Sequence, residues 1–207
     1  MMVISRTLAT AALLACTAGV STSALAQADK QSNFIGPALG VAVSAQKYTI
    51  DRDPVWTSDL AGSGNVADLV GSWGFALAQQ WVGTVSATVG ITNSDMSLAP
   101  TAKAANKQRF SLSFAPGYRI GSDGLLYGKV GYHSVAFEYT DTSTTVSSLT
   151  KTHQGFGFGA GYAMALSRNL EFRAEVESVT YSGENTSATV KLTPKETNFT
   201  LGLLYRF

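Results

Sequence analysis

The chain has 207 residues, only 14% of them charged, and its 15 Lys and Arg residues nearly balance 14 Asp and Glu residues. The formal net charge of +1 excludes the strongly basic class to which nucleic-acid-binding proteins belong. Beyond the N-terminal segment, no apolar run reaches the ~18 residues that a membrane-spanning helix needs.

Residues 1–26 have the organisation of a secretory signal peptide. Arg6 supplies the positive start, residues 8–20 are apolar or small, and an A-x-A cleavage site ends at Ala26. We therefore predict a mature chain of residues 27–207 that forms one domain and contains no cysteine. Two alternatives stay open, namely an N-terminal membrane helix and a lipoprotein signal in which Cys16 is acylated.

The rest of the chain alternates with the period of two that is typical of β-strands. Eight strands are predicted near residues 34–46, 65–77, 81–92, 108–119, 125–139, 152–165, 170–181 and 188–207. Few charges, 20 glycines and period-two segments indicate an all-β fold, an eight-stranded antiparallel transmembrane β-barrel whose outer face contacts lipid. The alternative is a soluble antiparallel β protein.

The charged residues predict which face of each strand points inward. A basic side chain in the middle of the lipid costs roughly 2–4 kcal/mol, so we turn such residues toward the lumen. The faces opposite these charges are then mostly apolar, which is consistent with contact to lipid. The predicted lumen charge network consists of Asp68, Arg109, Lys129, Glu171, Arg173 and Glu175.

The connections between strands alternate in length. Residues 78–80, 120–124 and 166–169 form tight turns, whereas 47–64, 93–107, 140–151 and 182–196 are long and polar. This pattern predicts short periplasmic turns and four longer extracellular loops. Outward-facing aromatic residues near the periplasmic rim form a predicted girdle of Trp73, Phe75, Trp81, Tyr118, Tyr162, Phe172, Tyr205 and Phe207.

Three stretches in the last third of the chain, Gly155–Ala163, Asn169–Glu175 and Leu203–Phe207, carry a family resemblance. They resemble the late strands of OmpA-like and opacity-type outer-membrane barrels, and the size resembles barrels of the Ail and OmpX kind. The resemblance implies localisation in the bacterial outer membrane, without the peptidoglycan-binding domain of full OmpA proteins. It also implies that Tyr205 and Phe207 form an insertion signal for the barrel-assembly machinery.

Side chains fill the lumen of a barrel of eight strands, so a wide pore is not expected. We predict that ion pairs plug the lumen; the first alternative is a narrow, low-conductance channel. A second alternative is a lipid-A-modifying enzyme, but His133 and Ser134 are neighbours on a strand and point to opposite faces. We therefore predict no catalytic residues, and no metal, cofactor or nucleic acid as a ligand. The glycines between Gly155 and Gly161 leave room for lumen charges and form no nucleotide loop.

The extracellular loops are the predicted working part, because function tends to lie on loops held by a rigid scaffold. Arg52 and Trp56 in the first loop are candidate contact residues. The third and fourth loops alternate in a way that predicts strands running past the membrane, with edges that could accept a partner strand. A structural or adhesin-like role follows, with outer-membrane lipid, the assembly machinery and host or surface ligands as partners.

Overall fold

The computed structural model describes residues 33–53, 60–99, 102–141, 147–185 and 191–207. These residues form ten strands and no helix. The strands are β1 (Gly36–Asp53), β2 (Leu60–Ala76), β3 (Trp81–Gly90), β4 (Ser94–Ala99), β5 (Ala102–Ile120), β6 (Gly124–Asp141), β7 (Ser147–Ala165), β8 (Leu170–Tyr181), β9 (Glu184–Asn185) and β10 (Lys191–Arg206). No helix in this part of the chain is long and apolar enough to cross a membrane.

The strands close into an antiparallel barrel. Hydrogen-bonded neighbours follow the order β1-β2-β3-β5-β6-β7-β8-β10, and β10 pairs back with β1 from Ala38↔Arg206 to Asp53↔Lys191. The short strands β4 and β9 pair with β5 and β10, so they continue β3 and β8 after a break. This closed order confirms the prediction of an eight-stranded antiparallel barrel. Because the barrel is closed, its strands leave no row of unpaired backbone groups facing the lipid.

A belt of apolar side chains covers the outside of the barrel. Along β10 the outward residues Phe199, Leu201, Leu203 and Tyr205 are exposed, whereas Gly202, Leu204 and Arg206 are buried. Outward residues become polar beyond a common level, at Lys47, Asn65, Gln108, Ser134, Gln154, Ser178 and Thr197. We call the apolar zone below this level the lipid belt.

Several strands continue far beyond the lipid belt. Residues 47–53, 60–64, 94–99 and 102–107 are strands, although they were assigned to the first two loops, so the predicted extent of these loops is wrong. Strands were predicted to run past the membrane in the third and fourth loops, and residues 140–141, 147–151, 184–185 and 191–196 are indeed strands. Their Thr, Ser and Val residues favour β-structure while remaining compatible with water. We call the strands beyond the belt the outer extension.

The alternation in the third and fourth loops predicts that Phe137 and Tyr139 oppose Val146 and Leu149, and that Val179 and Tyr181 oppose Val190 and Leu192. Tyr139 does oppose Leu149, but Phe137 opposes Lys151 and Val179 opposes Glu196. Val146 and Val190 lie outside the residues whose side chains or backbone the structure describes.

The N-terminal end also differs from the prediction. The first strand begins at Gly36 instead of residue 34, and Gly36 has a φ of 97°, a value that L-residues rarely adopt. The chain therefore bends there, and Phe34 is only 1% exposed, packed inside the barrel.

Candidate functional site in the lumen and at the outer rim

The six predicted lumen charges lie inside the barrel and pair with one another. Asp68 on β2 accepts a hydrogen bond from the guanidinium of Arg109 on β5. Arg109 also donates to the backbone carbonyl of Thr92 at 2.8 Å, which ties β5 to the break between β3 and β4. Both side chains are nearly buried and therefore poorly solvated, so each charge is compensated by the other.

Lys129 on β6 is the centre of a second group. Its Nζ donates to Glu175 Oε2 at 2.8 Å and to Glu177 Oε2 at 3.1 Å, both on β8. The other oxygen of Glu175 accepts a hydrogen bond from the Tyr127 hydroxyl at 2.7 Å. Glu177 Oε1 lies 3.0 Å from His133 Nε2. One lysine therefore links two carboxylates that would otherwise repel each other.

A third group lies in the periplasmic half of the lumen. Glu171, which is 1% exposed, accepts hydrogen bonds from both Arg173 and Arg206. Arg206 Nη1 also donates to the backbone carbonyl of Gly36 at 2.7 Å, so the last strand is tied to the start of the first. Removing the charge of Glu171 would leave two guanidinium groups without their common partner.

Glu177, Glu196, His133 and Arg206 also lie in the lumen, although they were not in the predicted network. Period-two alternation places Glu177 on the face of Glu175 and His133 on the face of Lys129, so for these two the signal was present in the sequence. Glu196 lay where the predicted loop 182–196 and the predicted last strand overlap. It accepts hydrogen bonds from Gln46 at 2.7 Å and from the Tyr181 hydroxyl.

Two packed layers close the lumen above and below these charges. The outer layer is an apolar cluster within the outer extension. Its members are Tyr48, Ala104, Val135, Phe137, Val179 and Tyr181. In the inner layer, at the periplasmic end, Phe34 packs against Val82, Leu125 and Tyr127. Between the layers lies a cavity of about 90 Å³ that the paired lumen charges line. It is large enough to hold several water molecules.

The predicted aromatic girdle residues lie on the outward faces of their strands. Trp73, Trp81 and Tyr205 are 47–50% exposed, and Phe207 is 69% exposed. Trp81 and Tyr118 pack edge to face with ring centroids 5.5 Å apart, and Tyr205 and Phe207 do so at 5.2 Å. Phe75, Tyr162 and Phe172 complete the set, and Phe75 stacks on Phe114.

His133 and Ser134 do not form a base–nucleophile pair with each other, as the sequence predicts. His133 points into the lumen toward Glu177, while its neighbour Ser134 faces outward. His153 is fully buried in the outer extension, where its Nδ1 lies 2.9 Å from the Ser182 carbonyl oxygen and its ring packs on Phe137.

In the outer extension, β7 pairs with β6 over a longer stretch than with β8. Pairing between β7 and β8 stops at Gly155↔Tyr181, while pairing between β6 and β7 continues to Asp141↔Ser147. Along β7, residues 147–152 therefore pair on one side only among the described residues. We call this segment the free edge. Of the predicted contact residues, Arg52 pairs with Leu192 in the β1–β10 ladder, and Trp56 lies outside the described residues.

Comparisons with known proteins agree with this geometry. A family model described as outer membrane protein beta-barrel domain matches residues 12–207. Neisserial surface protein A aligns with a TM-score of 0.51 at 16% identity, over 82% of this chain and 99% of that protein. Ail, the attachment invasion locus protein of Yersinia pestis, aligns with a TM-score of 0.49 at 15% identity, over 84% and 100% of the two chains. The outer membrane protein OprG from Pseudomonas aeruginosa aligns with a TM-score of 0.49 at 14% identity, over 86% of this chain and 99% of that protein. No curated protein sequence matches this chain.

Proposed function

Because the chain belongs to the outer-membrane β-barrel family of bacteria, we propose that it is a surface-interaction protein with a plugged lumen and no catalytic role. Its barrel is the anchor, and its outer extension presents a binding edge above the membrane. The free edge of β7 is the observation that carries this proposal. The paired lumen charges and the two packed layers favour it over a channel.

The hydrogen bonds around Gln154 show which backbone groups of the free edge are available. The Gln154 carbonyl accepts from Ser182 N at 2.6 Å, and Gln154 N lies 3.4 Å from Ser182 Oγ, so both groups of Gln154 point toward β8. Backbone groups alternate sides along a strand. Thr152, Thr150 and Ser148 therefore direct their N–H and C=O groups toward the same, unpaired side.

These groups suit recognition by β-strand addition, in which an extended segment of a partner joins the sheet. Edges that avoid such pairing usually carry proline, bulges or several charges. Residues 147–152 contain no proline or glycine and a single charge, Lys151. The partner segment that fits is an extended protein strand with an apolar residue near Leu149, which is 39% exposed, and an acidic residue near Lys151.

The decisive test uses Thr150→Pro, with Thr150→Val as the matched control. Proline removes one free-edge N–H without touching the β6–β7 ladder, and valine keeps that N–H. Bacteria displaying each variant are scored for adhesion to cultured cell monolayers and for self-aggregation, beside a deletion of residues 141–149. We expect the proline variant and the deletion to lose binding that the valine variant retains.

Two results would contradict the proposal. One is equal adhesion and aggregation by all variants, which would exclude the free edge. The other is that cells displaying the unaltered chain bind no better than cells that lack it. Heat-modifiable migration on gels shows in each case that the barrel itself is folded.

A further inference from the structure

The segment Asn33–Ile35 lies in the periplasmic mouth of the barrel. Its C-terminal end joins β1, and its N-terminal end contacts the opposite wall. Asn33 Nδ2 donates to the Asp123 carboxylate at 3.0 Å and to the Ser122 carbonyl at 3.3 Å. Both acceptors belong to the turn between β5 and β6. In the closed strand order, β6 is four strands from β1 in either direction, so the segment crosses the mouth.

Phe34 fills the lumen beneath this crossing. Its side chain packs against an apolar cluster that comes from the far wall of the barrel. The other members of that cluster are Val82, Ala115, Leu125, Tyr127 and Ala163. Leu125, Tyr127, Ala115 and Ala163 also line the cavity that contains the lumen charges. Phe34 therefore stands between the periplasm and that cavity.

We infer that Asn33–Ile35 is a removable stopper that controls access from the periplasm to the charged lumen. This inference goes beyond the proposed surface role and does not depend on it. It rests on how the segment is held and on how the barrel makes room for it.

The stopper takes no part in the strand pairing of the barrel. The β1–β2 ladder begins at Gly36↔Gly74 and the β1–β10 ladder at Ala38↔Arg206, so removal of the stopper breaks no backbone pair of either ladder. Gly36, with its positive φ, is the point about which the segment bends. Contacts that hold the stopper include the packing of the Phe34 ring and the hydrogen bonds of Asn33.

Gly74 on β2 provides space for the stopper backbone. A Cβ atom at position 74 would lie 1.9 Å from the carbonyl oxygen of Phe34, a distance that requires the segment to move. Gly71, on the same strand, would place a Cβ in open space. Gly74→Ala should therefore expel the stopper without altering any of its own residues, and Gly71→Ala is its matched control.

The test measures the reactivity of a cysteine placed in the lumen at Ser86, which lines the cavity and is 9% exposed. Full-length Ser86→Cys protein, folded in lipid vesicles, is treated with a cationic methanethiosulfonate, and labelling of the peptide containing position 86 is followed by mass spectrometry. Phe34→Ala should raise the labelling rate by roughly 100-fold or more, since the usual cost of truncating a buried phenylalanine, about 3–5 kcal/mol, corresponds to about two to four factors of ten. Gly74→Ala should raise it in the same direction.

Leu39→Ala and Gly71→Ala should label at the rate of the parent, because Leu39 faces outward from the barrel and position 71 has free space. Unchanged labelling in both Phe34→Ala and Gly74→Ala, with heat-modifiable migration showing folded barrels, would overturn the inference. Equal acceleration in the control variants would overturn it as well, since it would indicate general loosening of the barrel.

Discussion

Lys129 illustrates how a single residue determines the balance of charge in the lumen. Its ammonium contacts two carboxylates, Glu175 and Glu177, and all three side chains are at most 14% exposed. A buried ion pair adds little stability compared with an apolar pair, but removal of one partner leaves an uncompensated charge. The same reasoning applies to Glu171, which is shared by Arg173 and Arg206.

Lys129→Met should lower the free energy of unfolding by about 3–5 kcal/mol, because Glu175 and Glu177 lose their shared cation. Urea unfolding in lipid vesicles, followed by heat-modifiable gel migration, measures this change. Lys107→Met is the control: the Lys107–Glu138 pair is largely exposed, and its loss should cost about 1 kcal/mol or less. Equal losses in both variants would show that burial does not determine the effect.

The same Lys129→Met protein also tests the plugged lumen. Current across a planar bilayer should stay near the baseline of the unaltered barrel, because the outer and inner layers remain closed. A large rise in conductance would instead favour the narrow channel.

At the scale of elements, the two halves of β7 differ in structure and in proposed role. In the membrane half, inward-facing glycines leave space for bulky side chains of neighbouring strands. A Cβ at Gly157 would lie 2.7 Å from Glu177 Oε1, and one at Gly161 would lie 2.5 Å from the Tyr127 ring. Its outer half is the free edge, which contains no glycine. Small residues thus occur where the lumen is crowded, and β-forming residues occur where the strand stands above the membrane.

Gly155→Ala should destabilise the barrel by about 1–3 kcal/mol, the usual cost of overpacking. The added Cβ would lie 2.5 Å from the Thr180 carbonyl oxygen, and a backbone atom of a paired strand cannot move aside cheaply. Gly128→Ala on β6 has open space at the same position and serves as the control. Urea midpoints compare the two, and a loss of stability in Gly128→Ala as large as in Gly155→Ala would contradict the steric reason.

The outer extension depends on its own apolar layer. Phe137 is fully buried, with ring centroids 5.5 Å from Tyr48 and 6.0 Å from Tyr181. Phe137→Ala should lower the stability of the outer extension by about 3–5 kcal/mol. The extension should then become sensitive to protease, whereas the membrane part of the barrel stays intact. Phe156→Ala, which removes a lipid-facing ring that is 63% exposed, should leave protease resistance unchanged. Resistance that persists in Phe137→Ala would show that the strands hold without the layer.

At the scale of the whole molecule, the apolar outer face of the barrel contacts lipid. In a soluble β-sandwich the corresponding face would pack against a second sheet. The lipid belt covers every wall of the closed barrel, and aromatic residues lie toward its periplasmic edge. The arrangement predicts both the depth of Trp73 and Trp81 and a requirement for detergent or lipid during purification.

Fluorescence of Trp73 and Trp81 should be quenched more by lipids brominated near the ester groups than by lipids brominated near the chain ends. The reason is that both rings face lipid close to the membrane surface. The double variant Trp73→Phe, Trp81→Phe should lose this difference. A fully folded chain in buffer without any amphiphile would contradict the membrane assignment altogether.

Charged and alternating residues explain why much of the fold could be predicted from the sequence. The charges Asp68, Arg109 and Glu171 determine which faces point inward, because unpaired charges are costly in lipid. The alternation from Phe199 to Phe207 indicates the last strand directly. The lengths of the strands that border the first two loops were underestimated, since segments of small and polar residues such as 60–64 are equally compatible with a loop and with a solvent-exposed strand.

The barrel and the number of its strands follow from the amino-acid sequence alone, because local alternation and the cost of charge in lipid act residue by residue; its orientation in the membrane stays a prediction. The three-dimensional structure was needed to show that Phe34 fills the lumen, which charges pair with one another and that β7 keeps a free edge among the described residues. These features depend on closure and on the register between strands, and such contacts join residues that are distant in the chain.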